Sequence, residues 1–165
     1  MQEENKNVVL GERMLNEGDC KGAISKFNAA IKEVPENPSA YFGKAEASIG
    51  IPHIAVNDII ALYRKAIELD PSNAFYYTRL GAFCLDIGLF NDAEENYNKA
   101  AQLDPEGAKY YYSEFGVEYY NNATSQLDEE ADNAKVDEIR KKALTYLLKT
   151  LDMTEEDVIK MLSKK

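Results

Sequence analysis

Three look-alike phrases, AAIKEVPEN, KAIELDPSN and KAAQLDPEG, place Ala30, Ala66 and Ala100 at separations of 36 and 34 residues. Pro35, Pro71 and Pro105 keep the same spacing behind them. A period near 34 residues is what a stack of helical hairpins writes into a sequence. Each hairpin cannot bury its apolar face alone, so neighbours bury one another's faces and leave a concave surface for a partner. That predicts an all-α array that recognises other molecules rather than one that performs chemistry.

Within the period, residue sizes follow a rule. Small residues (Gly11, Ala45, Gly81 and Gly116 on first helices, Ala23 and Ala93 on second helices) are expected where two helices approach closely. Phe27, Tyr63 and Tyr97 are expected to fill the space between neighbouring hairpins, since ridges-into-grooves packing needs both kinds of residue. Proline lacks an amide donor and restricts the residue before it, so Asp70-Pro71 and Asp104-Pro105 read as helix stops.

The third copy, Ala74 to Gly107, is the clearest: Tyr77, Leu80, Gly81 and Cys84 on a first helix, Gly88 at the turn, then Ala93, Tyr97, Ala100 and Pro105. This resembles the tetratricopeptide repeat family, with its W-x2-L-G-x2-Y, A-x3-F and P motif. Tyr77 stands at the tryptophan position and Cys84 at the second aromatic position. The first copy matches through Leu10, Gly11, Met14, Gly18, Ala23, Phe27, Ala30 and Pro35, with Asn7 in place of the large aromatic. The second has Tyr41, Ala45, Tyr63, Ala66 and Pro71. The resemblance implies a right-handed helical-hairpin solenoid, with repeats at about 4–37, 38–73 and 74–107 and a divergent fourth at 108–153. Residues 154–165 are expected to form a capping helix, with Thr154 as N-cap and acids in its first turn.

Two departures from the period stand out. Tyr41 to Pro71 is 30 residues, against 28 for Asn7 to Pro35 and Tyr77 to Pro105, which predicts a longer loop around Gly50-Ile51-Pro52-His53. Gly116 to Ala143 is 27 residues, against 12 for Gly81 to Ala93. Val136, Ile139, Ala143, Tyr146 and Leu147 keep helical spacing, so the 15 extra residues are expected mainly to lengthen helices.

Composition narrows the partners. The net charge of −10 disfavours nonspecific binding to nucleic acid or to anionic membranes. MQEENKNVVL lacks the features of a secretory leader and no apolar run spans a bilayer, so a cytoplasmic location is expected. Cys20 and Cys84 form neither a disulfide framework nor a zinc site. No metal, cofactor or catalytic residue is expected. His53 stands alone in a loop, and Asp128 to Asp132 lacks the glycine and glutamate of a calcium loop, reading instead as a solvated helix start. Asn122-Ala123-Thr124 is a formal sequon expected in a loop.

The resemblance also implies which residues line the groove. Carried over position by position, they are Asn5, Val8, Val9, Glu12 and Asn16; Phe42, Gly43, Glu46 and Ile49; Phe75, Arg79, Ala82 and Asp86; and Tyr110, Glu114, Val117 and Asn121. The chaperone-tail clamp of some family members needs Lys, Asn, Asn, Lys and Arg where this chain has Val8, Glu12, Gly43, Phe75 and Arg79, so that ligand is excluded. Glu12, Glu46 and Glu114, interleaved with aromatics, point to a protein segment alternating basic and apolar residues. Phe42, Phe75 and Tyr110 read either as binding hot spots or as packing against adjacent helices or a second copy. The tyrosine-rich stretch Tyr110-Tyr111-Tyr112 and Tyr119-Tyr120 motivates the alternative of a self-associating scaffold.

Overall fold

The structure is a computed structural model that describes residues 5–127 and 133–162. The acidic run Asp128–Asp132 and the side chains of Met161 and Leu162 lie outside the described residues. The described residues form nine α-helices: α1 Lys6–Asn16, α2 Cys20–Glu33, α3 Pro38–Ser48, α4 Val56–Leu69, α5 Ala74–Asp86, α6 Phe90–Leu103, α7 Ala108–Ser125, α8 Asn133–Thr150 and α9 Glu155–Leu162. They fall into two compact units, residues 1–76 and 77–165, with the boundary inside α5.

Local rules explain the punctuation. The Asn5 side chain caps α1 by accepting from the amides of Asn7 (2.9 Å) and Val8 (3.2 Å). First helices α1 and α5 end on Gly18 (φ 83°) and Gly88 (φ 77°), whose left-handed backbone lets the next amide return to a carbonyl one turn back. Those returning bonds are Asp19 N to Met14 O at 2.9 Å and Leu89 N to Cys84 O at 2.8 Å. Second helices stop on Val34, Asp70 and Asp104, each extended in φ (−134°, −139° and −127°) as the following proline requires.

In unit 1 the loop between α3 and α4 runs from Ile49 to Ala55, against only Glu17–Asp19 between α1 and α2. The extra residues therefore sit in the loop around Gly50 and His53, both with positive φ. In unit 2 the fourth hairpin is long because α7 and α8 each have 18 residues, against 11 to 14 for α1–α6. Asn122-Ala123-Thr124, expected in a loop, lies instead in the last turns of α7. There Ala123 is buried and the Thr124 hydroxyl donates to the Tyr120 carbonyl at 2.6 Å.

The cores follow the small-against-large rule. Phe27, Tyr63 and Tyr97 are fully buried. The tip of the Phe27 ring enters a notch where Gly11 of α1 and Gly43 of α3 meet; a Cβ would stand 2.8 Å from the ring at Gly11 and 2.3 Å at Gly43. Gly81 meets Tyr97 in the same way, at 2.8 Å. Around Phe27 the core of unit 1 gathers Val8, Ala23, Ala30, Ala40 and Ala47. Cys84 is buried in α5, and Cys20 at the start of α2 is partly buried.

The C-terminal helix begins where expected. The Asp157 amide donates to the Thr154 hydroxyl at 3.2 Å, and the Asp157 carboxylate accepts from the Thr154 amide at 2.9 Å. It covers less apolar surface than its sequence suggests: Val158 is half-buried, while Ile159, Leu151 and Leu144 stay exposed at 61%, 65% and 49%.

Candidate partner-binding faces

The first-helix residues of unit 1 divide into two sets. Glu12, Val9, Ile49 and Phe75 are exposed. Val8 is not: at 2% exposure it belongs to the core around Phe27, one helical turn from Gly11, and cannot meet a ligand. Gly43 is likewise buried against Phe27, completing a small-residue stripe with Ala40 and Ala47 that faces α2. That stripe is readable in the sequence at i, i+3 and i+7, whereas carrying over the family's groove positions puts Gly43 on the open face. Asn5 is committed as the α1 cap, and its amide also donates to Glu33 at 3.2 Å.

Phe42 is half-buried at the centre of an aromatic cluster. Its ring lies 6.0 Å from Tyr63 and 5.4 Å from Phe75, and stacks on Tyr76 at 4.9 Å with 26° between planes. Phe75 keeps 55% of its surface exposed. Glu46 is half-buried and accepts a short hydrogen bond from the Tyr63 hydroxyl. The expected acid of the groove thus also satisfies a buried phenol, a role that residue spacing did not indicate. Burial raises the Tyr76 phenol, its Ser39 hydrogen bond works against this, and the charges of Asp70 and Glu12 add to the rise.

In unit 2, Tyr110 is 66% exposed and Val117 44%. Glu114 is half-buried, and burial raises its carboxyl above the usual range, opposed by the Tyr97 hydroxyl and by Arg79. Tyr97 is raised in turn, first by its own burial and then by Glu114. Its hydroxyl has no hydrogen bond of standard geometry among the described residues, so the neighbouring carboxylate acts on it chiefly as a charge. The structure therefore brings Arg79 and Glu114 within electrostatic reach of each other.

All five tyrosines of α7 make contacts inside unit 2, Tyr110 through an edge-on contact of 5.9 Å with Tyr111. The Tyr111 hydroxyl donates to Asp104 at 2.6 Å, which pushes the phenol up to about 12 and lowers Asp104. Tyr112 packs 5.9 Å from Tyr146 beneath the Lys149 ammonium. Tyr119 is buried against Phe115 and Phe90, and Tyr120 raises the Arg140 guanidinium.

A half-buried polar network links α6 and α8 and was not apparent from the sequence. The Tyr146 hydroxyl donates to Glu94 at 2.7 Å and accepts from Asn98 at 2.8 Å, and Lys142 pairs with Glu94. The signal was the i, i+4 spacing of Glu94 with Asn98 and of Lys142 with Tyr146. Beside this network lies an open cleft of about 380 Å³, lined by Phe90, Tyr119, Ala123, Lys135, Glu138 and Ile139. Among the described residues no group of three His, Cys, Asp or Glu could hold a metal, and no helix is long and apolar enough to cross a membrane.

Comparison with known proteins agrees with this architecture. Residues 62–95, from α4 through α5 into α6, match the family model for the tetratricopeptide repeat. No curated protein matches the chain in sequence. A crystal structure of MamA superposes with a TM-score of 0.68 at 22% identity, covering 95% of this chain and 79% of MamA. A structure of MamA AMB-1 gives 0.62 at 15% identity, covering 96% and 77%, and another MamA crystal structure gives 0.57 at 20%, covering 96% and 90%. The chain is thus an all-α array of helical hairpins with the fold seen in MamA, and its residues 62–95 match the tetratricopeptide repeat.

Proposed function

We propose that this chain is a non-enzymatic adaptor that binds a protein segment along its first helices, in the groove that the tetratricopeptide resemblance implies. One observation carries the reading: successive first helices keep a large aromatic exposed at the same place. Phe75 stands two residues before Tyr77 on α5 and Tyr110 two residues before Tyr112 on α7, at 55% and 66% exposure. Exposed aromatics supply contact area at low entropic cost and dominate many interfaces. Glu12, Glu46 and Glu114 add negative charge on three first helices, which suits a segment alternating basic and apolar residues.

The tyrosines that suggested a self-associating scaffold are mostly engaged within unit 2, so homo-oligomerisation has less support. Light scattering over a wide concentration range separates the two readings.

The test is affinity capture from native extract, followed by surface plasmon resonance with the captured partner. Phe75→Ala and Tyr110→Ala are expected to speed dissociation about tenfold each, whereas Glu12→Lys is expected to slow association and flatten its salt dependence. A partner that binds all three variants like the parent would place the site elsewhere.

A further inference from the structure

The cleft of unit 2 lies where three helices meet. The start of α6 gives Phe90, the later turns of α7 give Tyr119, and the first half of α8 gives Lys135, Glu138, Ile139 and Lys142. Those four residues of α8 stand at i, i+3, i+4 and i+7 and so share one face. Phe90 and Tyr119 meet edge-on at 5.4 Å, and Ile139 and Leu127 extend the apolar wall. The volume of about 380 Å³ falls within the roughly 300–1,000 Å³ of small-molecule sites.

One polar group in that wall has nothing to bond. Tyr119 keeps only 8% exposure, yet its hydroxyl makes no hydrogen bond among the described residues. Nor is it sealed in, because among those residues the Tyr97 hydroxyl is the only fully enclosed polar side-chain atom without a partner. The Tyr119 hydroxyl therefore reaches open space, and the cleft is the space that its residue lines. Burial raises this phenol, Lys142 opposes the rise, and Glu138 and Glu94 add to it. It stays protonated and is a donor in want of an acceptor.

A second donor stands on the same cleft. Lys142 is committed to Glu94, but the Lys135 ammonium makes no ion pair among the described residues. An uncommitted phenol and an uncommitted ammonium beside an apolar wall suit an apolar body that ends in acceptor oxygens. Glu138 is the carboxylate that lines the cleft and works against an anion. The helix behind it favours one: α8 carries five basic residues and two acidic ones, in a chain of net charge −10.

We propose that this cleft is a binding site for a small aromatic carboxylate. The ring packs on Phe90 and Ile139, and the carboxylate accepts from the Tyr119 hydroxyl and pairs with Lys135. The site uses none of the exposed aromatics of the adaptor reading and stands without it.

Nuclear magnetic resonance titration of the full chain with three probes of like shape tests it: 3-phenylpropionate, its neutral carboxamide and the cationic 3-phenylpropylamine. The acid is expected to bind with a Kd of about 1 mM, in keeping with so small a ligand. The amide is expected to bind about fivefold more weakly and the amine more weakly still. The backbone amides of Phe90, Tyr119 and Ile139 are expected to shift. Tyr119→Phe is expected to weaken the acid about fivefold and to leave the melting temperature level, because the hydroxyl it removes holds nothing in the folded chain. Lys135→Gln is expected to bring the acid down to the level of the amide, and Glu138→Gln to tighten it. Tyr110→Ala, outside the cleft, is expected to leave the acid as it was.

An acid that binds no better than the amide, or that is indifferent to Tyr119→Phe and Lys135→Gln, would overturn the site. So would shifts confined to residues away from the cleft, or no binding at about 10 mM. A lower melting temperature in Tyr119→Phe would show that the hydroxyl already has a partner, and that too would overturn it.

Discussion

The ring of Phe27 lies so close to Gly43 that a Cβ at that position would stand 2.3 Å from ring atoms Cε1 and Cζ. The same two atoms meet Gly11, where a Cβ would stand at 2.8 and 2.9 Å. With no exposure of its own, Phe27 has no open space into which to retreat. Gly43→Ala favours the helix by about 1 kcal/mol, but overpacking a closed core costs typically about 1–3 kcal/mol or more. The overlap is expected to win, with melting falling by about 2–8 °C for a chain of this size. A melting temperature that stayed level or rose would show that α1 and α3 can part without cost.

Tyr63 and Glu46 form one unit. Tyr63→Phe removes the hydroxyl that the half-buried carboxylate accepts from. Hydrogen bonds to a charged group are worth about 1.5–3 kcal/mol, so a loss near the lower end of that range is expected. Glu46→Gln keeps an acceptor and should cost less. A double-mutant cycle by urea unfolding checks the pairing: additive losses would mean the two residues do not interact.

Glu114 makes stability depend on pH in a particular direction. Its folded carboxyl is raised by burial above the unfolded value. The folded state therefore holds its proton more tightly, and the contribution of Glu114 falls as pH rises from the unfolded value through the raised one. Glu114→Gln lacks this titration. The stability of the variant relative to the parent is thus expected to grow as pH rises through that window and to be level above it. Urea melts between about pH 4 and pH 7, the range in which a raised glutamate titrates, provide the measurement. A difference that shrank with rising pH would show that Arg79 outweighs burial.

Deleting residues 154–165 removes α9, whose contribution on the described side chains is small. Val158 is half-buried and Ile159 mostly exposed. Loss of Val158 packing is expected to cost about 1–2 kcal/mol, lowering the melting temperature by roughly 2–8 °C. Leu144 and Leu151 are already exposed, so the truncated chain should also be the more prone to aggregate. No change in melting or solubility would make α9 a loose appendage.

The hairpins, their turns and their principal packing partners were legible in the chain because each rests on short-range rules. A proline forces the residue before it to be extended, Gly18 and Gly88 permit a left-handed turn, and small residues recur opposite large ones at a constant period. Even the lengthening of α7 and α8 showed in the apolar spacing around Ile139 and Ala143. Which side of a first helix reaches water was decided only in three dimensions. Val8 and Gly43 occupy positions carried over as groove residues, yet both are buried, because α1 and α3 pack on each other as well as on α2. Glu46 and Glu114 were legible as acids on an open face, but their coupling to Tyr63 and Tyr97 depends on residues 17 positions away in each case. Burial and hydrogen bonding are properties of neighbours in space, and a repeat motif specifies only the neighbours that every copy shares.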